Sequence, residues 1–178
     1  MANQRLTDKT ALTEQVGSGD LLMVVDVNDT TGSAEGTSKK MDFKYLMQTD
    51  KISLSNAEAQ ALGSTPKTLV GALSGYMITV YNVTFIVTTP GPGSESANKY
   101  MYMGYDNSTT SSYWAAARGF MNGLGGVDVT FIYSAYVPSN GAVTGTPLNK
   151  PFIIWSSGAF NGGWSAEVYV TYAYTKVL

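Results

Sequence analysis

Hydrophobic positions fall into stretches of strand length throughout the second half of the chain, and clusters of turn-forming residues separate them. Residues 76–88 are free of charge and carry apolar side chains on both faces, whereas 127–137 alternate between apolar and more polar positions. Further stretches lie at 99–105, 112–117, 152–156 and 164–177. This pattern predicts a mainly β protein whose C-terminal part is an antiparallel β-sandwich, with the jelly roll as one version.

A smaller pattern of the same type lies near the start of the chain. Residues 21–27 form an apolar run, and residues 28–36 are rich in side chains that favour turns. Residues 37–41, which include Lys39 and Lys40, can form a second strand that runs back along the first. These features predict a β-hairpin. Because two strands alone are only marginally stable in water, we expect this hairpin to pack against another protein.

Between these two regions, residues 53–75 predict a short helical connector. A capping-box pattern at 55–58 marks the start of a first helical piece. Thr65 and Pro66 suit the cap and the first position of a second piece, in which Leu69, Val70 and Leu73 share a face. Helical pieces of this length require packing to be stable.

Charged and aromatic residues divide the chain in a similar place. More than half of the charged residues lie in the first 60 positions, whereas Phe43 and Tyr45 are the only aromatic residues before residue 76. We therefore predict an N-terminal module at 1–52, the connector at 53–75 and the sandwich domain at 76–178.

Composition argues against several classes of function. A net charge of −2 and a pI of about 5.0 provide no attraction to nucleic acid or to an anionic membrane. No apolar run reaches the ~18 residues of a membrane-spanning helix, and the polar N-terminus leads into no signal-peptide core. Cysteine and histidine are both absent, which removes disulfides, thiolate metal sites and the commonest general base.

Catalysis is not predicted, because the sandwich region offers few convergent titratable groups. Its carboxylates are Glu95, Asp106, Asp128 and Glu167, and the last two fall on outward strand positions, where carboxylates usually face solvent. We expect a protein that is not an enzyme and that uses no cofactor.

A metal site is not predicted either. The segment from Asp26 begins like a calcium-binding loop, but Thr31 stands where that motif has glycine and Thr37 where it has glutamate. A hairpin turn held by Asx-type hydrogen bonds is the better interpretation.

Four aromatic residues, Tyr113, Trp114, Trp155 and Trp164, flank predicted turns or strand ends. If exposed, their rings could stack against a sugar or a partner protein; if buried, they would close the ends of the sandwich. Burial is the more common outcome for such residues, and the binding surface is the alternative.

The front end resembles a module found at the N-terminus of tailed-bacteriophage fibre and collar proteins. The resemblance rests on Leu12-Thr13, residues 20–27, residues 29–31, residues 36–40 and a hydrophobic close at Leu46. In those proteins the module attaches the fibre to the virion, the C-terminal part is exchangeable and the assembly tends to be homotrimeric.

The resemblance implies a non-enzymatic virion structural protein, a head or capsid fibre or a decoration protein, assembled in the host cytoplasm. Its partners would be further copies of itself and a capsid, neck or tail protein, with an outward β-domain. The alternative is a tail-associated or collar receptor-binding module that recognises a glycan on the host surface. The residues expected to dock on the virion are Leu21, Leu22, Val24, Val25, Val27, Lys39, Lys40, Phe43 and Leu46.

Overall fold

The computed structural model describes residues 21–32, 34, 36–42, 46–89, 91, 94–105, 113–134 and 147–177. The chain divides into two compact units, residues 1–45 and residues 46–178. In the first unit, β1 (Leu21–Asp26) pairs with β2 (Thr37–Asp42) in an antiparallel hairpin. The predicted hairpin is therefore confirmed.

The second unit is a sandwich of two four-stranded antiparallel sheets with one short helix. Its elements in chain order are β3 (Gln48–Leu54), α1 (Asn56–Ala61), β4 (Lys67–Val70), β5 (Tyr76–Thr88), β6 (Tyr100–Gly104), β7 (Tyr113–Arg118), β8 (Val129–Ser134), β9 (Phe152–Ser156) and β10 (Ser165–Lys176). One sheet has the order β3-β10-β5-β8 and the other the order β4-β9-β6-β7.

The connections identify the sandwich as a jelly roll. Every connection between consecutive strands of the sandwich passes from one sheet to the other, except the one from β6 to β7. Such crossing between two four-stranded antiparallel sheets is the topology of the eight-stranded jelly roll. The predicted fold class is confirmed.

The core lies between the two sheets and is rich in aromatic side chains. Alternate residues of β10 are buried, as expected for a strand with one face on the core. The ring of Phe120 lies at the centre of an aromatic group, within 6.1 Å, centroid to centroid, of Phe85, Phe131, Phe160 and Trp164. Each fully buried side chain of this size contributes roughly 1.5–3 kcal/mol to folding.

The first predicted helical piece is confirmed, together with its cap. The Ser55 hydroxyl accepts a hydrogen bond from the amide of Glu58, and a Glu58 carboxylate oxygen accepts one from the amide of Ser55. The Lys67 ammonium pairs with the same carboxylate and, together with the Ser55 contacts, lowers the pKa of Glu58 to about 2. The helix end is thereby fastened to β4.

The second predicted helical piece is wrong, because Lys67–Val70 is a strand that pairs with β9. A register shift between Thr68 and Val70 leaves both Leu69 and Val70 buried. Two consecutive buried residues break the alternation of a regular strand. The sequence of this segment is therefore also compatible with the apolar face of a helix. Ladder hydrogen bonds to β9 override a weak local helix propensity.

Strand β3 adds to the sandwich a segment that the sequence assigns mainly to the N-terminal module. Its core-facing positions include the polar side chains of Gln48 and Asp50. The Tyr172 hydroxyl donates a 2.8 Å hydrogen bond to Asp50, so this inward carboxylate has a partner. Because these inward positions are polar, the sequence of β3 does not alternate between apolar and polar residues as a predicted strand would. Its pairing with β10 is nevertheless regular.

Candidate docking surface of the N-terminal hairpin

The hairpin turn is built by short polar side chains that bond to the backbone close by. An Asp26 carboxylate oxygen accepts from the amide of Asn28, and Asp29 accepts from the amide and the hydroxyl of Thr31. The Thr37 hydroxyl accepts from the amide of Gly32 across the turn. These contacts confirm the predicted Asx-type turn.

A lysine clips the turn from the opposite strand. The Lys39 ammonium lies 2.8 Å from a carboxylate oxygen of Asp26 and 2.8 Å from one of Asp29. This hydrogen bonding lowers the pKa of both carboxyls and raises the pKa of Lys39. The ammonium thus offsets part of the negative charge of the two carboxylates that made the segment similar to a calcium loop.

Glycine is required where β2 begins. Gly36 has a φ of +120°, and a Cβ atom at this position would lie 2.8 Å from the carbonyl oxygen of Asp26 and 2.8 Å from Cγ1 of Val25. The close approach of the two strands at the turn excludes larger residues at this position.

The two ion pairs of Lys39 with Asp26 and Asp29, which we call the clip, predict how the carboxyl of Asp29 titrates with acid. Replacing Lys39 with methionine should raise the pKa of Asp29 toward its ordinary value of 3.8, because the main donor to the carboxylate is lost. Since both carboxyls have a lower pKa in the folded hairpin, the clip stabilises it above about pH 4 and is lost as the pH falls through the folded-state values. Carboxyl-carbon NMR titration measures this change.

Lys40→Met is the matched control. Lys40 pairs with Met23 across the ladder, so its side chain lies on the face of the hairpin that does not carry Lys39. It should leave the Asp29 titration where it is in the unaltered chain. A normal pKa for Asp29 in the unaltered chain would contradict the clip.

The hairpin exposes an apolar face, which we call the docking face and define as Met23, Val25 and Val27. Met23 and Val25 alternate along β1 and share their side of the ladder with Lys40 and Ser38 on β2. The exposed fractions are 71% for Met23, 57% for Val25 and 68% for Val27. Met23 and Val25 face solvent on one side of the ladder, and Val27 follows them as an exposed residue of the turn. Exposed apolar side chains of this kind form a surface suited to a partner.

The opposite face of the hairpin is more polar and better covered. It carries Val24, Asp26 and Met41, which are partly buried, with the clip at its turn end. Near the open end of the hairpin, a shallow groove of 340 Å³ is lined by Leu22, Met23, Ser38, Lys39 and Lys40. The two faces therefore differ in both charge and exposure.

The structure brings together most of the residues predicted to dock, but on different faces. Val25 and Val27 lie on the docking face, whereas Leu22, Val24 and Lys39 lie on the other and Lys40 borders the docking face. Leu21 belongs to β1, but its side chain lies outside the described part of the chain. Phe43 lies outside the described residues altogether. Leu46 belongs to the second unit. The prediction missed Met23, the most exposed apolar side chain of the face.

The tryptophans predicted as possible ligand-binding residues are buried. Trp114 packs edge-on against Phe152, Trp155 stacks on Tyr102, and Trp164 donates its indole N–H to a carboxylate oxygen of Glu95. Tyr113 lies in β7, and its side chain is outside the described part. Sugar stacking needs an accessible ring face, which none of the three tryptophans presents.

Glu95 is the one charged residue that is buried within the described part of the chain, with 2% of its surface exposed. Its carboxylate accepts hydrogen bonds from the amides of Asn161 and Gly162, at 2.9 and 3.0 Å, and from the indole of Trp164 at 3.2 Å. The Lys99 ammonium lies 3.9 Å away. The carboxylate is thus enclosed by donors and fastens two loops to each other.

Asp128 and Glu167 also have partners. Asp128 accepts a 2.8 Å hydrogen bond from the amide of Thr89, and Glu167 pairs with Lys51 at 2.9 Å. Asp106 lies outside the described residues. Among the residues that the structure describes, no three carboxylates gather in an arrangement that could hold a metal ion.

Within the described ranges, no helix has the length and apolar character needed to cross a membrane. No model of a protein family matches the chain, and no curated protein matches it.

Proposed function

We propose that the protein is a non-enzymatic structural component of a tailed-bacteriophage virion, a head or capsid fibre or a decoration protein. Its N-terminal hairpin docks on a capsid, neck or tail protein, and its jelly-roll domain projects outward. Assembly takes place in the host cytoplasm, and the protein joins the particle with further copies of itself, as a homotrimer.

The observation that carries this proposal is the docking face. Met23, Val25 and Val27 are exposed on a two-stranded hairpin whose described residues contribute no buried hydrophobic side chain. Such a hairpin gains stability when its apolar face is covered by another protein. The resemblance of the same segment to virion-attachment modules supports a virion protein as the docking partner.

The surroundings of the carboxylates support a role without catalysis. Glu95 is enclosed by three N–H donors, Glu58 caps a helix and pairs with Lys67, and Glu167 pairs with Lys51. Catalysis by a carboxylate pair needs two groups that face one substrate, one of them poised to give up or accept a proton. The described carboxylates are engaged separately in structural contacts.

Co-sedimentation tests the proposal. Particles of the phage that encodes the chain, produced without it, are mixed with increasing amounts of the purified full-length chain and pelleted. We expect the chain to pellet with the particles and to saturate at a fixed number of copies per particle. A chain that stays in the supernatant at every concentration, or that pellets without saturation, would overturn the proposal.

A further inference from the structure

Three asparagines of the chain are followed directly by glycine: Asn122, Asn140 and Asn161. Asparagine is among the residues that degrade chemically in proteins, and a following glycine has no side chain to shield its own amide nitrogen. That nitrogen can attack the side-chain carbonyl carbon of the asparagine. A C–N bond forms, the side-chain nitrogen leaves as ammonia with the proton of the glycine amide, and water then opens the succinimide ring to aspartate or isoaspartate. Asn140 lies outside the described residues.

A single short segment, Ser94-Glu95, contacts both of the described pairs. The segment lies in the connection from β5 to β6, whereas Asn122-Gly123 follows β7 and Asn161-Gly162 follows β9. The backbone of Glu95 forms an isolated bridge with that of Asn122, and the amide of Glu95 donates to the carbonyl oxygen of Met121. Three connections of the sandwich therefore meet at this segment.

Both reacting groups of the Asn161-Gly162 pair are held by the segment. The amide of Gly162 donates a 3.0 Å hydrogen bond to a carboxylate oxygen of Glu95, and the side-chain amide of Asn161 donates a 3.0 Å hydrogen bond to the carbonyl oxygen of Ser94. The attacking nitrogen must lose its proton, and the negative charge of the buried carboxylate beside it opposes that loss. The departure of ammonia must also break the hydrogen bond to Ser94. Each step of the reaction is therefore hindered at this pair.

The Asn122-Gly123 pair is held less firmly. The amide of Gly123 donates a 3.2 Å hydrogen bond to the hydroxyl of Ser94, which is neutral and belongs to an exposed residue. A hydrogen bond to a neutral group contributes less than one to a charged group. Attack by the Gly123 nitrogen is therefore hindered to a smaller degree.

We propose that the Ser94-Glu95 segment protects both pairs from deamidation, and Asn161 more strongly than Asn122. At Asn161 the product would be a carboxylate in place of the side-chain amide that donates to Ser94. Two acceptors would then face each other near the negative charge of Glu95, and the contact between the two loops would be lost. The inference concerns the sandwich alone and stands whether or not the hairpin docks on a virion.

Peptide mapping by mass spectrometry of the folded full-length chain, aged in warm and mildly alkaline buffer, tests the inference. The rate at each pair is divided by its rate in the same chain unfolded in guanidinium chloride, which removes the influence of the neighbouring residues. We expect both ratios to lie below one, and the ratio for Asn161 to be the lower. A folded chain in which Asn161 deamidates as fast as in the unfolded chain, or in which its ratio exceeds that of Asn122, would overturn the inference.

Two single substitutions separate the two contacts. Ser94→Ala removes the hydroxyl that Gly123 uses but keeps the carbonyl oxygen that Asn161 uses, so deamidation should rise about fivefold at Asn122 and stay unchanged at Asn161. Glu95→Ala removes the acceptor of Gly162, so deamidation should rise about tenfold at Asn161 and less at Asn122. A general loosening of the fold would raise both rates together. No rise at Asn122 in Ser94→Ala, or rises of equal size at the two pairs in either variant, would overturn the inference.

Discussion

Replacing Glu95 with alanine is expected to lower the free energy of unfolding by about 3–5 kcal/mol, the usual cost of removing one member of a buried charged network. The carboxylate is the acceptor for the amides of Asn161 and Gly162 and for the indole of Trp164. Without it, these three N–H groups lose their acceptor in the folded state, whereas water satisfies them in the unfolded chain. Urea unfolding followed by tryptophan fluorescence measures the change.

The expected loss depends on burial and can be separated from a general effect of removing charge. Glu167→Ala removes a carboxylate of the same kind from the outward face of the sheet, where it pairs with Lys51. A surface pair of this type contributes little, so this variant should unfold close to the unaltered chain. Equal effects of the two substitutions, or a loss below about 1 kcal/mol for Glu95→Ala, would contradict the role assigned to Glu95.

The second large effect is expected at the docking face, where Val25→Lys should weaken binding to the virion about a hundredfold. Val25 lies between Met23 and Val27 in sequence and is 57% exposed in the hairpin, so the lysine replaces the middle of the surface that we propose the virion covers. Burying an ammonium without a partner opposes binding, and a hundredfold change corresponds to about 3 kcal/mol. The co-sedimentation assay gives the affinity of each variant.

Two controls separate lost docking from a lost fold. Val177→Lys makes the same substitution at a 43% exposed valine of the sandwich unit and should bind as the unaltered chain does. The lowered pKa of Asp29 reports on the folded hairpin, so it should persist in Val25→Lys. Full binding by Val25→Lys with the hairpin intact would show that the docking face is not the contact.

Six strands of the sandwich, β5 to β10, could be predicted from sequence, and two of them with their bounds. The segments 76–88 and 152–156 are β5 and β9 in the structure. Strand β3 could not be predicted, because a charged residue, Asp50, occupies an inward position. The hydrogen bond that Asp50 accepts from Tyr172 is a tertiary contact that the local sequence does not reveal. Strand β4 was hidden because a bulge buries Leu69 and Val70 together. Both failures come from long-range pairing that local pattern does not contain.

For the candidate site, the hairpin and its turn chemistry could be predicted, but not the choice of face. Alternation places Met23 with Val25 and Val24 with Asp26, yet the sequence alone does not say which side is covered. The clip by Lys39 and the exposure of Met23 are visible only once the strands are paired. The burial of Trp114, Trp155 and Trp164 likewise depends on how the two sheets pack.

Hydrogen exchange of the full-length chain, free and bound to particles that lack it, tests the central claim most directly. We expect the backbone amides of residues 21–42 to exchange much more slowly in the bound chain, because the particle covers the hairpin. Amides of β3 and β10 should exchange at the same rate in both states. Protection confined to the sandwich, with the exchange of the hairpin unchanged, would contradict docking by the N-terminal hairpin.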